Sequence, residues 1–430
     1  MFPIIGLLGL LGLFPTKADA AYQPLTLRLD HHIFTIDADH YPAWRELAET
    51  WSYNGRPVKP AAALRVDGDT VPPLPPGIVR SQLQGWNRRA IAETLQKVIG
   101  KPLHRDAGSV TIKRSGSGTI IFDGVGMLGR SVDMEDLVDL VIAGSEAGVT
   151  DIEIPIEEIQ PTIIVEDREL SALGIKEVVT VGESDFSGSP LPRRHNIGVG
   201  MSKFNGAVIP QGETFSFNKI LGKVDGTTGY WKELVIMGEH TLPEYGGGLC
   251  QVSTTAYRGI WEHGFPIVNR RNHSFAVSYY GPQGTDATIY PPHTDMKFAN
   301  DGPSALLIQT HVTGNKAYFI YYGTKDARQT EVMGPYLWDF REPPPDREEF
   351  TTEIPPGERR KASDQHPGVK ALWFRTVKPP EGEMTEERIF SAYEARGLLF
   401  QTGIAPEPPL EEIPDDNPRR RTRRVELPST

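Results

Sequence analysis

Apolar residues recur at helical spacing in four stretches and alternate with polar ones in many more. Leu249, Val252, Ala256, Ile260 and Trp261 share one helical face, and Gly264 and Pro266 stop that helix. Residues 134–148 form a second such pattern, with Asp133 as its N-cap. Residues 42–51 and 84–99 read as two further helices, the latter ending at Gly100. Alternation predicts strands over residues 25–30, 33–37, 151–156 and 161–167, with proline at the edges of the last two. Residues 109–114 and 118–123 read as a hairpin turning through Ser115-Gly116-Ser117-Gly118. Five more strands follow over 275–280, 286–290, 295–300, 305–312 and 316–323, the last two a hairpin over Thr313-Gly314-Asn315. Residues 371–378 and 389–393 alternate as well. The fold class is α+β and β-rich, in several domains, with the most interesting helix packed on antiparallel strands.

A chain of 430 residues exceeds one ordinary core. Breaks in pattern divide it into 21–100 (α+β), 101–194 (a small α+β unit), 195–324 (the unit of the central helix), 325–403 (a small β-rich module) and a tail at 404–430. That tail is acidic and proline-rich, then basic through Arg419 to Arg424, as a disordered segment is. Residues 1–20 read as a secretory signal: an apolar run from Phe2 to Phe14, then Ala18-Asp19-Ala20 as a small-x-small cleavage site. No basic residue precedes the run, as in a weak signal or a chain whose true start lies upstream; an uncleaved anchor giving membrane association is the alternative reading of this segment. The chain is therefore expected to be exported to the cell envelope. A formal charge of −11 argues against nucleic acid as a partner.

An exported protein with one cysteine has no internal disulfide and carries an oxidation hazard. Cys250 follows Gly246, Gly247 and Gly248 and opens the central helix. First-turn N–H groups and the helix dipole favour an anion there, so a thiolate is favoured too. A lone cysteine is otherwise a small buried hydrophobe; the glycine turn and the exported setting shift the reading toward a nucleophile. A cysteine nucleophile needs a base and donors for an oxyanion. His273 is the candidate base and Asp286 the group that orients it. The turn at Gly247 and Gly248, with Gln251, is the candidate oxyanion site. Arg271 is the candidate fork for a substrate carboxylate. His240 and His293 are alternative bases, whereas His263 suits the cation position at a helix C-terminus. Arg270 and Arg271 also fit a solvated pair. No metal-ligand spacing and no phosphate-binding loop is present, so neither a metal nor another cofactor is expected.

Five blocks, in order, resemble the VanW family of bacterial envelope proteins. They are R-R-H-N-I at Arg193, F-N-G-A-V-I-P-Q-G-E-T-F-S-F-N at Phe204, G-G-G-L-C-Q-V-S-T-T at Gly246, R-R-N-H-S at Arg270 and G-T-D-A-T at Gly284. G-R-S-V-D at Gly129, I-E-I-P-I at Ile152, L-G-I-K-E-V-V at Leu173 and F-S-G-S at Phe186 resemble a peptidoglycan-binding domain that precedes VanW domains and L,D-transpeptidases. The resemblance implies a cell-wall role, with peptidoglycan stem peptides as partners and Cys250 as the nucleophile of an L,D-transpeptidase-like acyl transfer. Two alternatives share these residues: a cysteine amidase or endopeptidase on the same stems, and a non-catalytic wall-binding protein in which Cys250 only packs.

Overall fold

The computed structural model describes residues 24–58, 76–237 and 240–405. The signal-like segment, the proline-rich break near Pro72 and the basic tail lie outside the described residues. Short antiparallel sheets dominate and helices are few, an α+β, β-rich architecture as the alternation requires.

A four-stranded antiparallel sheet lies at the centre, built from Glu177–Asp185, Lys316–Gly323, Leu306–Thr313 and Val208–Ile209 in that order. Helix Leu249–His263 packs on the first of these strands. The contact is backbone-close: a Cβ on Gly182 would fall 2.0 Å from the Thr255 carbonyl oxygen, and one on Gly259 would fall 2.4 Å from the Gly182 nitrogen. Any side chain at either glycine would lever the helix off the sheet. The helix is buried on nearly every side, with Val252, Ala256, Ile260 and Trp261 fully buried on its apolar face. Gly264 closes it in the left-handed conformation, with its N–H on the Ile260 and Trp261 carbonyls.

Three other regions frame this unit. Strand Leu25–Leu29 pairs in parallel with Asp151–Glu153, and their core includes helix Met134–Ala147, capped by the Asp133 side chain. The expected hairpin forms from Ser109–Arg114 and Ile120–Val125. At the C-terminus, Gln329–Arg341, Gly368–Lys378 and Thr385–Tyr393 form a three-stranded sheet whose Trp373 is buried edge-on against Trp261, with ring centroids 5.5 Å apart. An aromatic contact of this kind contributes about 0.5–1.5 kcal/mol beyond the area it buries. It fastens the C-terminal sheet to the central helix.

Several predicted elements differ. The expected helix at 42–51 is a short 3-10 turn, Pro42–Trp44, followed by strand Arg45–Tyr53, which pairs along its length with Ile78–Trp86. That partner strand takes Gln84–Trp86, so the next helix starts later, at Arg88, with Asn87 as its cap. The helical path continues past Gly100 to Leu103. Helix Leu191–Ser202, absent from the predicted elements, runs across the division drawn after Arg194. Residues 275–280 and 286–290 are loop rather than strand, apart from a 3-10 turn at Ser278–Tyr280. Here side-chain hydrogen bonds replace a ladder.

Candidate active site

The glycine turn aims Cys250 into the site. Gly248 sits at φ +110°, next to the first helical residue, and a Cβ there would meet Arg193 and Ile197. Asn196, fully buried, donates its amide to the carbonyls of Gly247 (3.0 Å) and Trp231 (3.0 Å), which pins the turn from behind. The R-R-H-N-I block is therefore structural support for the cysteine. Cys250 is partly exposed, with its sulfur 3.4 Å from the Thr288 hydroxyl and 3.6 Å from the Ile289 carbonyl oxygen.

His273 and Asp286 meet it. The Asp286 carboxylate accepts the His273 ring Nδ1–H at 2.6 Å and the His273 main-chain N–H at 2.7 Å, both on Oδ2. This fixes the ring and leaves Nε2 for the thiol, close enough that each group shifts the titration of the other. Tyr280 stacks on the imidazole, centroids 4.2 Å apart and nearly parallel. The other carboxylate oxygen, Oδ1, takes the Tyr393 hydroxyl at 2.5 Å and Arg270 Nη2 at 3.1 Å. Asp286 is buried, and Arg270 also holds its main-chain carbonyl through Nε at 2.6 Å.

The charges follow from this chain of contacts. Burial pushes the Cys250 thiol up, but the hydrogen bond and charge of His273 outweigh it, with help from Thr288, and bring it down to about 7. Burial pulls His273 down, yet Asp286 and the thiolate hold it well above the usual histidine range. Burial also raises Asp286, and His273, Arg270 and Tyr393 together draw it below the usual carboxylate range. At pH 7 about half of the molecules therefore hold thiolate, imidazolium and carboxylate in a row, the thiol and the imidazole each shifting the titration of the other.

The remaining predicted residues divide. Gln251 is fully buried; its Oε1 accepts from Arg193, its Nε2 donates to the Asp185 carbonyl at 3.4 Å, and its main-chain N–H bonds to the Gly248 carbonyl at 3.0 Å. Those bonds make it a brace for the turn, not a donor facing the thiol. Arg271 is exposed, and its carbonyl accepts from the Thr288 N–H at 2.8 Å. The arginine that reaches the site is Arg270, so the two do not form a solvated pair. His263 is not a helix-terminal cation: burial and nearby Arg328 bring it down to about 3, so it is neutral. His293 lies in an exposed turn, and the His240 side chain lies outside the described residues.

Three contributors were missed. Arg193 spans Gln251 and the Tyr280 hydroxyl at 3.1 and 3.2 Å. Arg258, buried inside the helix face, holds the Tyr280 and Gly281 carbonyls and the Thr285 hydroxyl at 2.8–3.0 Å. Tyr393 closes the carboxylate. Arg193 lay within a noted block; nothing local to Arg258 or Tyr393 marks it. A cavity of about 580 Å³ lies on the other side of the 278–282 loop, lined by His31, His32, Glu183, Tyr279 and Lys316 among others, and does not include Cys250. Among the described residues, no cluster of His, Cys, Asp and Glu is arranged to hold a metal ion, and no helix is long and apolar enough to cross a membrane.

A buried histidine linked on one side to a carboxylate and on the other to a cysteine at a helix start defines a Cys–His–Asp constellation on an α+β scaffold. Residues 192–322, which supply all three, match the family model described as VanW like protein. The chain is 30% identical over 177 residues, 41% of its length, to "Uncharacterized protein YoaR" of Bacillus subtilis (strain 168), covering 57% of that protein. Over 111 residues, 25% of its length, it is 30% identical to "Vancomycin B-type resistance protein VanW" of Enterococcus faecalis (strain ATCC 700802 / V583), covering 40% of that protein. The chain thus spans about half the length of the curated relatives it matches.

Proposed function

We propose that this protein works outside the cytoplasm on the cell wall, as a cysteine-dependent acyltransferase of the L,D-transpeptidase kind. The observation that carries the reading is His273, held by Asp286 through Nδ1 on one side and interacting electrostatically with the Cys250 thiol on the other. Similarity to a vancomycin-resistance protein supports the choice of peptidoglycan stem peptides as substrate. Residues 101–194 would hold the glycan or stem as a peptidoglycan-binding unit.

The Cys250 thiolate attacks the carbonyl carbon of the amide that follows the third stem residue. A carbon–sulfur bond forms and the carbonyl electrons move to oxygen. The Cys250 main-chain N–H and the positive end of the helix dipole stabilise that oxyanion. The intermediate collapses with cleavage of the carbon–nitrogen bond, and His273 gives its Nε2 proton to the departing D-alanine amine. The amine of a second stem then attacks the thioester, His273 takes its proton, and the thiolate leaves. Asp286 remains ionised throughout and holds the ring in place.

The test is incubation with tetrapeptide muropeptides or a carbapenem, followed by intact-protein mass. A covalent adduct on the wild-type protein, absent from Cys250→Ala, is expected. No adduct, or one that survives Cys250→Ala, overturns the reading. Repeating the reaction with an added amine separates transfer from hydrolysis, since only transfer gives the cross-linked product.

A further inference from the structure

We propose that Tyr393, carried by the C-terminal sheet and not by the VanW-like segment, is a positioning residue of the Cys250 centre: its hydroxyl fixes the Asp286 carboxylate that orients His273. The proposal rests on the thiolate–imidazole reading of the site. It follows from the way the C-terminal sheet grips the loop that carries His273 and Asp286.

Contacts by five residues dock residues 270–286 onto strands Gly368–Lys378 and Thr385–Tyr393 and onto Glu394 just beyond. Arg270 Nη1 donates to the Ser391 hydroxyl at 2.8 Å. Asn272 Nδ2 donates to the Ala392 carbonyl at 2.9 Å. The Glu394 N–H donates to the Ser274 carbonyl at 2.7 Å. Trp373 Nε1 donates to the Gln283 carbonyl at 2.8 Å. The Tyr393 hydroxyl accepts the Gly284 N–H at 2.7 Å and donates to Asp286 Oδ1 at 2.5 Å. Alternation selects the inward side chains: Ser391 and Tyr393 are buried, whereas Phe390 and Ala392 face outward.

Tyr393 differs in kind from the other four contacts. It is bonded at once to the loop backbone and to the catalytic carboxylate. With the hydroxyl present, Oδ1 is held by two donors and Oδ2 is left to His273. Without it, Arg270 is the remaining side-chain donor to Oδ1. Its Nε and Nη1 are engaged by the Asp286 main-chain carbonyl and the Ser391 hydroxyl, and Nη2 is shared with the Gly284 carbonyl, so it holds Oδ1 by one bond at 3.1 Å. With that one bond left on Oδ1 the carboxylate gains freedom to rotate, Oδ2 leaves the line to Nδ1, and Nε2 loses its aim at the sulfur. Deletion of a hydrogen bond to a buried charge is felt most strongly in a low-dielectric network of this sort.

The experiment uses the full chain and compares wild type, Tyr393→Phe and Phe390→Ala. Phe390→Ala lies on the same strand and removes an exposed ring, so it reports general damage to the sheet. Cys250 alkylation is followed against pH, and the His273 Nδ1–H proton is followed by NMR at low field. Tyr393→Phe is expected to slow alkylation at pH 7 about five- to tenfold, to move the thiol midpoint up from about 7 toward the free-thiol value, and to shift or broaden the Nδ1–H resonance. Phe390→Ala is expected to leave all three unchanged. A wild-type pH profile and an unmoved resonance in Tyr393→Phe, or equal losses in both variants, overturn the proposal. A wild-type thiol that titrates like a free one would overturn the reading of the site instead, so the two failures are distinguishable.

Discussion

The central helix has a histidine–carboxylate pair near each end, and the two pairs differ in charge state, one ionic and one neutral. Near the N-terminus, His273 and Asp286 lie 2.6 Å apart; near the C-terminus, His31 Nδ1 and Glu262 lie 2.5 Å apart. Both pairs are buried. Yet His273 is driven up and Asp286 down, whereas His31 is driven down and Glu262 up. Burial alone favours the neutral forms in each case. At the first pair it is overruled by a donor set that favours charge: a thiolate on the imidazole, and Arg270 and Tyr393 on the carboxylate. At the second pair burial acts with its neighbours. His32 and the guanidinium of Arg258 disfavour a cation on His31, while Asp30 disfavours an anion on Glu262. One ion pair and one neutral pair result from nearly the same contact. The contact distance does not make the first site reactive; the company around it does.

Matched amide substitutions should separate the two pairs. Asp286→Asn removes a charge that faces the buried Arg270 guanidinium and the His273 imidazolium. Loss of one partner from such a pair costs on the order of 3–5 kcal/mol, and urea unfolding should record that loss. Alkylation of Cys250 at pH 7 should fall more than tenfold with it. An Asp286→Asn protein with wild-type stability and reactivity would remove the ionic description of this end. His273→Ala comes next. A thiol midpoint near 7 leaves about half of Cys250 as thiolate at pH 7; at the free value of about 8.5 it is about 3%. The alkylation rate at pH 7 should drop about fifteenfold, and a profile that stays centred near 7 would assign the activation to the helix terminus alone. Arg271→Ala is smaller again. The side chain is exposed, so stability should stay within about 0.5 kcal/mol and alkylation should not change. If the fork read from sequence binds a donor carboxylate, KM rises several-fold with kcat unchanged; an unmoved KM discards it.

The reactive end was the more legible one, because its signals are local. A glycine turn, a helical stripe and one cysteine lie within a few residues, and His273 and Asp286 fall in short blocks just beyond. The supports are not local. Tyr393 meets Asp286 across 107 positions, and a tyrosine in an alternating strand announces only which face it occupies. The same limit explains the misread elements. Residues 45–53 become a strand because Ile78–Trp86 pairs with them, and no short window contains both. Residues 275–290 alternate because Phe275, Thr285 and Asp286 are buried anchors in a loop, gripped by Arg258, Arg270 and Trp373. The neutral pair left no trace in the sequence at all: His31 and Glu262 lie 231 positions apart, and neither residue type forecasts an uncharged partner.

Glu262→Gln probes that neutral pair with the smallest expected effect, and its sign depends on pH. Wild-type Glu262 has a folded pKa above its unfolded value of about 4.5. As pH rises above 4.5 the unfolded chain loses this proton while the folded chain keeps it, so the unfolded state binds fewer protons and this group's contribution to stability falls. His31 has a folded value below its unfolded one, so its contribution rises with pH until about 6.5 and then stops changing. Above 6.5 the fall due to Glu262 is therefore unopposed within the pair. Glutamine has no proton to lose and is free of that fall, while it still offers an oxygen to the His31 N–H and ring. At pH 5 the variant should lie within about 1 kcal/mol of wild type, and between pH 6.5 and pH 8 it should gain on it steadily. Urea midpoints at four or five pH values read this directly. A variant that loses ground to wild type as pH rises would mean that Glu262 is ionised in the fold, and the contrast between the two ends of the helix would be gone.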